Sequence, residues 1–346
     1  MCRESELYQT GLYQSDLYHP VTIGGLEVPG NLFLAPLAGY SDVAFRSLCV
    51  SYGSDLTYSE MLSAEGFVRG SGGTFNLLAR DPRERYFGAQ IFSSSPYSAA
   101  KAAAAIAALP VPPSLIDLNC GCPVPKVVKT GAGSALLRNP RLVYDMVKAM
   151  KESCALPVTV KIRSGWDAAS INYLETADAA CQGGAALVCL HARTRAQGYG
   201  GRADWGHIRD LKERCGIPVF GSGDVLSGEE AVSMLRETGC DGLMFARGAI
   251  GNPFIFRQTR ACLALGRVAE PSARERMRMG LEHLDLCIRA KGEVLACREM
   301  RKHFAAYSKG LPGGARLRAA LVRACTAADY RETVEGYLTG IPEPGP

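Results

Sequence analysis

Residues 117–123, which read Asp-Leu-Asn-Cys-Gly-Cys-Pro, are the sharpest chemical feature of the chain. A thiol in a glycine-containing loop that follows an apolar run can serve as a nucleophile or as a proton donor. Cys120 and Cys122 are two apart, too close for a C-x2-C metal knuckle, and no second Cys/His pair follows at zinc spacing. No metal site is therefore expected. Cys122 is the candidate reactive thiol, and Cys120 reads as structural.

Such a thiol needs a frame. Short apolar runs rich in Val, Ile, Leu and Phe recur at 32–37, 55–60, 86–92, 115–119, 158–163, 186–191, 218–222 and 242–247. Most show no polar alternation, which suits strands buried on both faces of a parallel sheet. Helix-period stretches lie between them, among them 96–109, 139–152, 173–182 and 228–237. Eight β/α units in about 220 residues predict an α/β fold of the closed (β/α)8 TIM-barrel type. A doubly wound open sheet would carry a glycine-rich dinucleotide turn after its first strand. Here residues 35–39 read Ala-Pro-Leu-Ala-Gly.

Polar and special residues gather at the C-terminal ends of these runs. They are Pro36, Glu60, Gln90, Asn119 with Cys122, Lys161 with Arg163, His191 with Arg193, Gly223 with Asp224, and Arg247. In a barrel those ends open onto one face, where active sites lie. One polar residue ending a strand is ordinary, but solvation alone does not explain one on each of eight.

Two of these clusters read as an anion grip. Residues 221–224 (Gly-Ser-Gly-Asp) follow the seventh strand and lead to the helix at 228–237, and Ala246-Arg247-Gly248 follows the eighth. Barrel phosphate sites are often built from these two loops and a helix N-terminus. Small residues let the backbone approach, and Arg247 adds a charged donor. Lys161, ending strand five in the mouth, is costly to leave unpaired and needs an anionic or electron-rich partner. The N1–C2=O edge of a reduced flavin is one candidate. A substrate carbonyl held as a Schiff base, as in an aldolase-type barrel, is the other.

Composition supports a globular enzyme: of 346 residues, 47% are hydrophobic and 21% charged. No window reaches the roughly 18 apolar residues of a membrane span, and the polar N-terminus lacks the apolar stretch of a signal peptide. A cytoplasmic monomer with no membrane partner is expected. The 13 cysteines are an odd number and scattered, so most are expected to be reduced and buried. The net charge of +5 is unevenly spread. Residues 257–346 hold 16 Lys and Arg against 10 Asp and Glu, whereas residues 1–256 hold 23 against 24. The division expected is a catalytic barrel at 1–256, with 1–19 as an N-terminal extension, then a basic helical domain at 257–346. Its helices are expected at 275–290, 293–309 and 316–327, with residues 341–346 (IPEPGP) as a frayed end. Such an appendage suits a polyanionic partner.

Taken together, residues 35–42 (APLAGYSD), 90–92 (QIF), 118–123 (LNCGCP), 131–137 (GAGSALL), 160–167 (VKIRSGWD), 191–195 (HARTR) and 248–253 (GAIGNP) resemble the tRNA-dihydrouridine synthases of the bacterial type. Residues 298–303 and 307–310 are similar to the family's helical RNA-binding domain, and the likeness spans about 20–330 in order. The resemblance implies an FMN-containing barrel that reduces the 5,6 double bond of uridine in tRNA, with NADPH as reductant. It implies that Pro36, Leu37 and Ala38 line the flavin ring and that Gln90, Lys161 and His191 bind it. Ser222, Gly223, Asp224, Ala246 and Arg247 would hold its phosphate. Cys122 would be the acid that protonates C5. Asn119, Arg163, Arg193 and Arg195 are candidate substrate-binding residues, with an ion pair, for instance to Glu60, as the other reading of the last two. Leu37 stands where the family often has Met, and Ser222 where Asn is common. The rivals are a flavin barrel acting on a free pyrimidine, a flavin-free lyase or aldolase using Lys161, and a non-catalytic RNA-binding protein.

Overall fold

The protein was analysed as a computed structural model that describes residues 16–70, 76–266, 268 and 270–341. The expected N-terminal extension is thus described only from residue 16, and of the IPEPGP end only Ile341 is described. In chain order the strands are β1 (Val21–Ile23), β2 (Leu26–Val28), β3 (Leu32–Leu34), β4 (Thr57–Tyr58), β5 (Leu62–Ser63), β6 (Phe87–Phe92), β7 (Leu115–Cys120), β8 (Val158–Arg163), β9 (Leu187–His191), β10 (Val219–Ser222) and β11 (Gly242–Phe245). The strand order β3-β11-β10-β9-β8-β7-β6-β4 is parallel throughout, and a parallel bridge between Phe33 and Leu56 closes the ring. This is the expected (β/α)8 barrel.

Three strands are clearly shorter than the apolar runs suggested, and among them run 242–247 keeps its strand only to Phe245. Run 32–37 ends as a strand at Leu34, before Pro36, which has no N–H to give a ladder. Run 55–60 supplies only β4, and β5 pairs with β6 a few residues later. Alternation, expected to be absent, is present inside the barrel. In β8, Val158, Val160 and Ile162 join the apolar layer beneath the helices, while the intervening Thr159, Lys161 and Arg163 point the other way, as the two-residue period requires.

The helices are α1 (Val43–Ser51), α2 (Ala64–Val68), α3 (Pro96–Ala107), α4 (Pro125–Val128), α5 (Pro140–Ser153), α6 (Tyr173–Gln182), α7 (Trp205–Arg214), α8 (Gly228–Thr238), α9 (Ile255–Leu265), α10 (Ala273–Lys291), α11 (Glu293–Tyr307), α12 (Gly314–Leu321) and α13 (Ala327–Thr339). Local chemistry starts them cleanly. In α3, Ser95 accepts from the Ser98 N–H, Pro96 sits in the first turn, and Ala99, Ala102, Ala103 and Ile106 form the buried stripe. Among the described residues no helix is long and apolar enough to cross a membrane.

Three apolar clusters divide the work. The largest fills the space between sheet and helices. A second fills the lower barrel with Phe33, Leu115, Leu187, Cys189, Phe220 and Met244. The antiparallel β1–β2 hairpin, which the sequence reading missed, adds Val21, Ile23 and Val28 to that cluster and so plugs the N-terminal end. The third cluster joins α10–α13 to Ala44, Leu48 and Phe254 of the barrel. A boundary at 256/257 would cut α9, one residue past its first turn's start, and the helical region shares its core with α1. The expected helix at 316–327 is instead two: α12 ends at Leu321, and Thr326 opens α13 with a capping box to Asp329.

Candidate active site at the C-terminal rim of the barrel

The rim encloses a cavity of about 430 Å3, within the range of cofactor and ligand sites. It is lined by Pro36, Leu37 and Ala38 after β3, Gln90 of β6, Asn119 and Cys122 at β7, and Lys161 and Arg163 of β8. His191 of β9, Ser222, Gly223 and Asp224 at β10, and Ala246 and Arg247 after β11 complete it. Strand register explains the convergence. Asn119 pairs with Lys161, and two residues further along β8 Arg163 pairs with His191, which pairs in turn with Ser222, so these inward side chains form two successive layers.

A polar chain rises from below to Asn119 of the lower layer. The Thr159 hydroxyl donates to Asp117 (2.6 Å), the Gln90 amide donates to the other Asp117 oxygen (2.7 Å), and Asn119 Nδ2 donates to Gln90 Oε1 (2.8 Å). Asn119 Oδ1 then accepts from the backbone N–H groups of Gly121 (3.1 Å) and Cys122 (2.8 Å). A buried amide thereby fixes the thiol loop from below. From the far side, the Cys122 carbonyl accepts from the Ser134 N–H and hydroxyl. Gly133, at φ +62°, permits this approach, because a Cβ there would lie 2.8 Å from that carbonyl oxygen.

Charge at the rim is one-sided. Burial raises the Cys122 thiol above its ordinary value, against smaller opposing effects from the Val124 backbone and Arg163, so the proton stays on sulfur at neutral pH. Burial also pushes His191 well below the usual imidazole value, helped by Lys161, Arg163, Arg193 and Arg247, and the ring is neutral. Arg163 gives its N–H groups to the carbonyls of Gly121, Thr194 and Gly198 and, among the described residues, has no carboxylate partner. Among the described residues the Lys161 ammonium has no hydrogen-bond or ion-pair partner. Burial lifts Asp117 to about 6, with Thr159, Gln90 and Lys161 pulling it back.

The anion grip differs from expectation in one part. The N-terminus of α8 is already occupied: Ser227 caps it, and Glu229 and Glu230 stand in its first turn. Its positive end is neutralised from within, so any grip rests on the loops after β10 and β11. There Gly223 (φ +118°) and Asp224 (φ +56°) adopt left-handed conformations in succession. A Cβ on Gly223 would press on Ala203 and His191, at 2.9 and 3.0 Å. The Asp224 carboxylate is bound by Arg193 (2.7 Å), Arg247 (2.9 Å) and the Ala203 N–H (2.7 Å). Two guanidiniums on one carboxylate leave a net positive charge.

Two of the candidate substrate residues do not line the cavity. Arg193 is 2% exposed and is held by Asp224 and the carbonyls of Gly200 and Gly201. Its ion pair is with Asp224 and not with Glu60, whose carboxylate accepts from the Gly39 N–H (2.6 Å). Arg195 stacks on Trp166 at 4.5 Å, with Arg138 on the same ring at 3.4 Å. Sequence reading missed Tyr199, which lines the mouth, is 57% exposed, and lies 4.7 Å from the Arg247 guanidinium and 5.8 Å from that of Arg163. An aromatic residue among glycines, Gly198-Tyr199-Gly200-Gly201, was the available signal. Tyr40 and Met61 also line the cavity.

Outside the rim, Asp42, His283 and Cys287 bring ligand-type atoms within 4.8 Å of one another where α10 meets α1. The Lys291 ammonium lies 2.6 Å from Asp42 and from Glu299 and supplies the cation there.

A closed parallel barrel with a polar, cation-rich cavity at its C-terminal rim defines a TIM-barrel enzyme. Comparison with known proteins narrows this class. The sequence profile described as dihydrouridine synthase (Dus) matches residues 33–339. The chain is 44% identical over 333 residues to a probable tRNA-dihydrouridine synthase of Treponema pallidum, covering 93% of this chain and 97% of that protein. It is 35% identical over 320 residues to tRNA-dihydrouridine synthase B of Pasteurella multocida, covering 92% and 96%. The chain belongs to the dihydrouridine synthase family and is an oxidoreductase of that family.

Among solved structures, it resembles 6-hydroxypseudooxynicotine amine oxidase from Pseudomonas geniculata N1 (TM-score 0.59, 14% identity, 78% of this chain and 52% of that one). It also resembles histamine dehydrogenase from Rhizobium sp. 4-9 (TM-score 0.53, 14% identity, 79% and 51%). The chain spans about half the length of these two, and the likeness is one of barrel fold.

Proposed function

We propose that the protein reduces the 5,6 double bond of uridine in tRNA, with FMN in the rim cavity and NADPH as reductant. The observation that carries this reading is the convergence of a protonated thiol, Cys122, and an unpaired ammonium, Lys161, on one cavity of cofactor size. The residues present fit FMN in three respects. Pro36, Leu37, Ala38 and Met244 offer an apolar bed for a flat ring, with Gln90 and the neutral His191 beside it. Lys161 supplies the cation that the N1–C2=O edge requires. Ser222, Gly223 and Asp224, with Ala246 and Arg247, offer backbone N–H groups and spare positive charge for a phosphate. The buried Nη1 of Arg193 also lacks a partner. When bound, FMN supplies the hydride for uracil C6 and is recharged by NADPH.

The chain's own contribution is the proton and its placement. Cys122 Sγ–H gives its proton to C5 as negative charge develops on the uracil. That step needs the thiol protonated at the outset, which burial secures. Asn119 and Arg163 hold the loop that carries it. Because a stacked uridine cannot reach a cavity, the base must leave the tRNA stack. Tyr199 offers an aromatic face at the mouth for it. Arg195 and Arg138 on Trp166, with the exposed Arg298, Arg316 and Arg323 of the helical region, are the proposed phosphate contacts. Arg193 is assigned to positioning Asp224 and not to substrate.

The test combines colour and product. Purified protein should show the flavin band near about 450 nm and, with NADPH, form dihydrouridine in an unmodified tRNA transcript. A colourless protein indifferent to added FMN would end the proposal. The role of the helical region is tested by reversing Arg298, Arg316 and Arg323 to Glu and not by deletion, because its core includes Ala44, Leu48 and Phe254. Binding that weakens and loses salt dependence supports the assignment, and unchanged binding removes it.

A further inference from the structure

Three successive barrel helices end in a cysteine. Cys154 follows α5, Cys181 is the penultimate residue of α6, and Cys215 follows α7. These ends lie at the N-terminal side of the barrel: β9 begins at Leu187 and β10 at Val219, while His191 and Ser222 close the same strands at the catalytic rim. Cys154 Sγ faces the carbonyls of Met150 and Leu156. Cys181 and Cys215 meet each other, with their sulfurs 3.5 Å apart and both residues half-buried, open to small solutes. Cys122 and Cys154 are as accessible and Cys325 is exposed, but among the described cysteines no other two are in sulfur–sulfur contact.

We propose that Cys181 and Cys215 are a redox modification site, a dithiol that closes to a disulfide on reaction with a hydroperoxide. The chemistry is a two-electron oxidation. Cys215 sulfur attacks the peroxide O–O bond, becomes a sulfenic acid, and releases water or an alcohol. Cys181 sulfur then attacks the Cys215 sulfur, the S–OH bond breaks, and a second water leaves with the two thiol protons accounted for. Cys215 is the attacking member because the contact with Cys181 lowers its thiol against burial, and the Ile217 backbone and the Lys212 ammonium lie on its side of the pair to favour the thiolate. The same contact raises Cys181. The helix C-terminus works against a thiolate, so the neighbouring thiol and Lys212 are needed. The disulfide would tie α6 to α7 at the face opposite the cavity, leaving the rim untouched.

The test uses the full-length reduced protein treated with one equivalent of hydrogen peroxide and read by mass spectrometry. The expected product has lost two hydrogens, links the peptides of Cys181 and Cys215, reverts with dithiothreitol, and retains its dihydrouridine-forming activity. In Cys181→Ser, Cys215 should instead accumulate a sulfenic acid that dimedone traps, and in Cys215→Ser, Cys181 should stay reduced. Linkage through another cysteine, first reaction at the exposed Cys325, or Cys181 and Cys215 both remaining reduced would overturn the proposal.

Discussion

At the N-terminal end of the barrel, charges are matched. Asp55 accepts from the Leu32 N–H, the Tyr18 hydroxyl and Arg260 (2.6 Å). Asp241 takes both of its oxygens to Lys212 at 2.8 Å and also accepts from the Val219 N–H. At the C-terminal end, the same strands deliver four cations, Lys161, Arg163, Arg193 and Arg247, around a single ion-paired carboxylate, Asp224. A buried charge left without a partner is expensive, so it persists where a ligand completes it. The closed end is therefore built for stability and the open end for binding. The comparison predicts that substitutions at the two ends separate cleanly into loss of turnover and loss of fold.

The largest effect falls at the rim. Replacing Cys122 by Ala should lower the rate of dihydrouridine formation by roughly 10² to 10⁴, the usual worth of a positioned acid, while flavin content, melting temperature and tRNA binding stay as in the parent. Retained turnover would show that the proton comes from elsewhere. At the opposite end, Asp55→Ala removes a carboxylate, 5% exposed at the side chain, that Arg260, the Tyr18 hydroxyl and the Leu32 N–H share, and leaves the partly buried Arg260 with the Gly53 carbonyl but no counter-charge there. A stability loss of about 3 kcal/mol is expected, as when a buried pair loses one partner, with the turnover of the folded fraction unchanged. A variant that kept its stability but lost turnover would erase the distinction between the ends.

Between the two ends sits Asp117, fully buried and raised to about 6. Its folded value lies above the unfolded one, so its contribution to stability is full below the unfolded value near 3.8 and is lost as pH rises through about 6. Denaturation measured against Asp117→Asn should show the parent losing about 2 kcal/mol relative to the variant between pH 4 and pH 7. Parallel curves would mean that Lys161 and the hydrogen bonds hold the carboxylate at an ordinary value.

Much of this arrangement is legible in the sequence because it rests on local rules. Gln90, Asn119, Lys161, Arg163, His191 and Ser222 interrupt the apolar runs at or near the ends of their strands, and with Pro36 and Arg247 they line one rim. What escaped is non-local. Nothing near Arg193 announces that Asp224, one strand away, will bind it. The free N-terminus expected of α8 is cancelled by Glu229 and Glu230 of its own first turn, a detail visible in the sequence but outweighed by the glycines before it. The β1–β2 hairpin is two three-residue strands, too short for periodicity to register, and only the cluster with Leu115 and Leu187 gives it a purpose. Alternation in Val158–Arg163 was masked because Thr159 is a buried partner of Asp117 and Lys161 is a half-buried cation of the cavity, so neither reads as a solvated position.

Tyr199 gives the smallest and most discriminating test. Its ring is exposed, belongs to none of the apolar clusters, and among the described residues lies near the guanidiniums of Arg163 and Arg247 and, at 6.3 Å, the His191 ring. Truncation therefore costs the fold little, while base-on-aromatic stacking is worth roughly 1–3 kcal/mol. Tyr199→Ala should raise KM for tRNA about tenfold or more, leave the melting temperature in place, and leave NADPH oxidation without tRNA unaltered. Tyr199→Phe, which keeps the ring and drops the hydroxyl, should recover most of the loss. If Phe behaves like Ala, the hydroxyl and not the face is the contact. If neither moves KM, the mouth binds RNA through its guanidiniums alone, and the open end differs from the closed end by charge without an aromatic contribution.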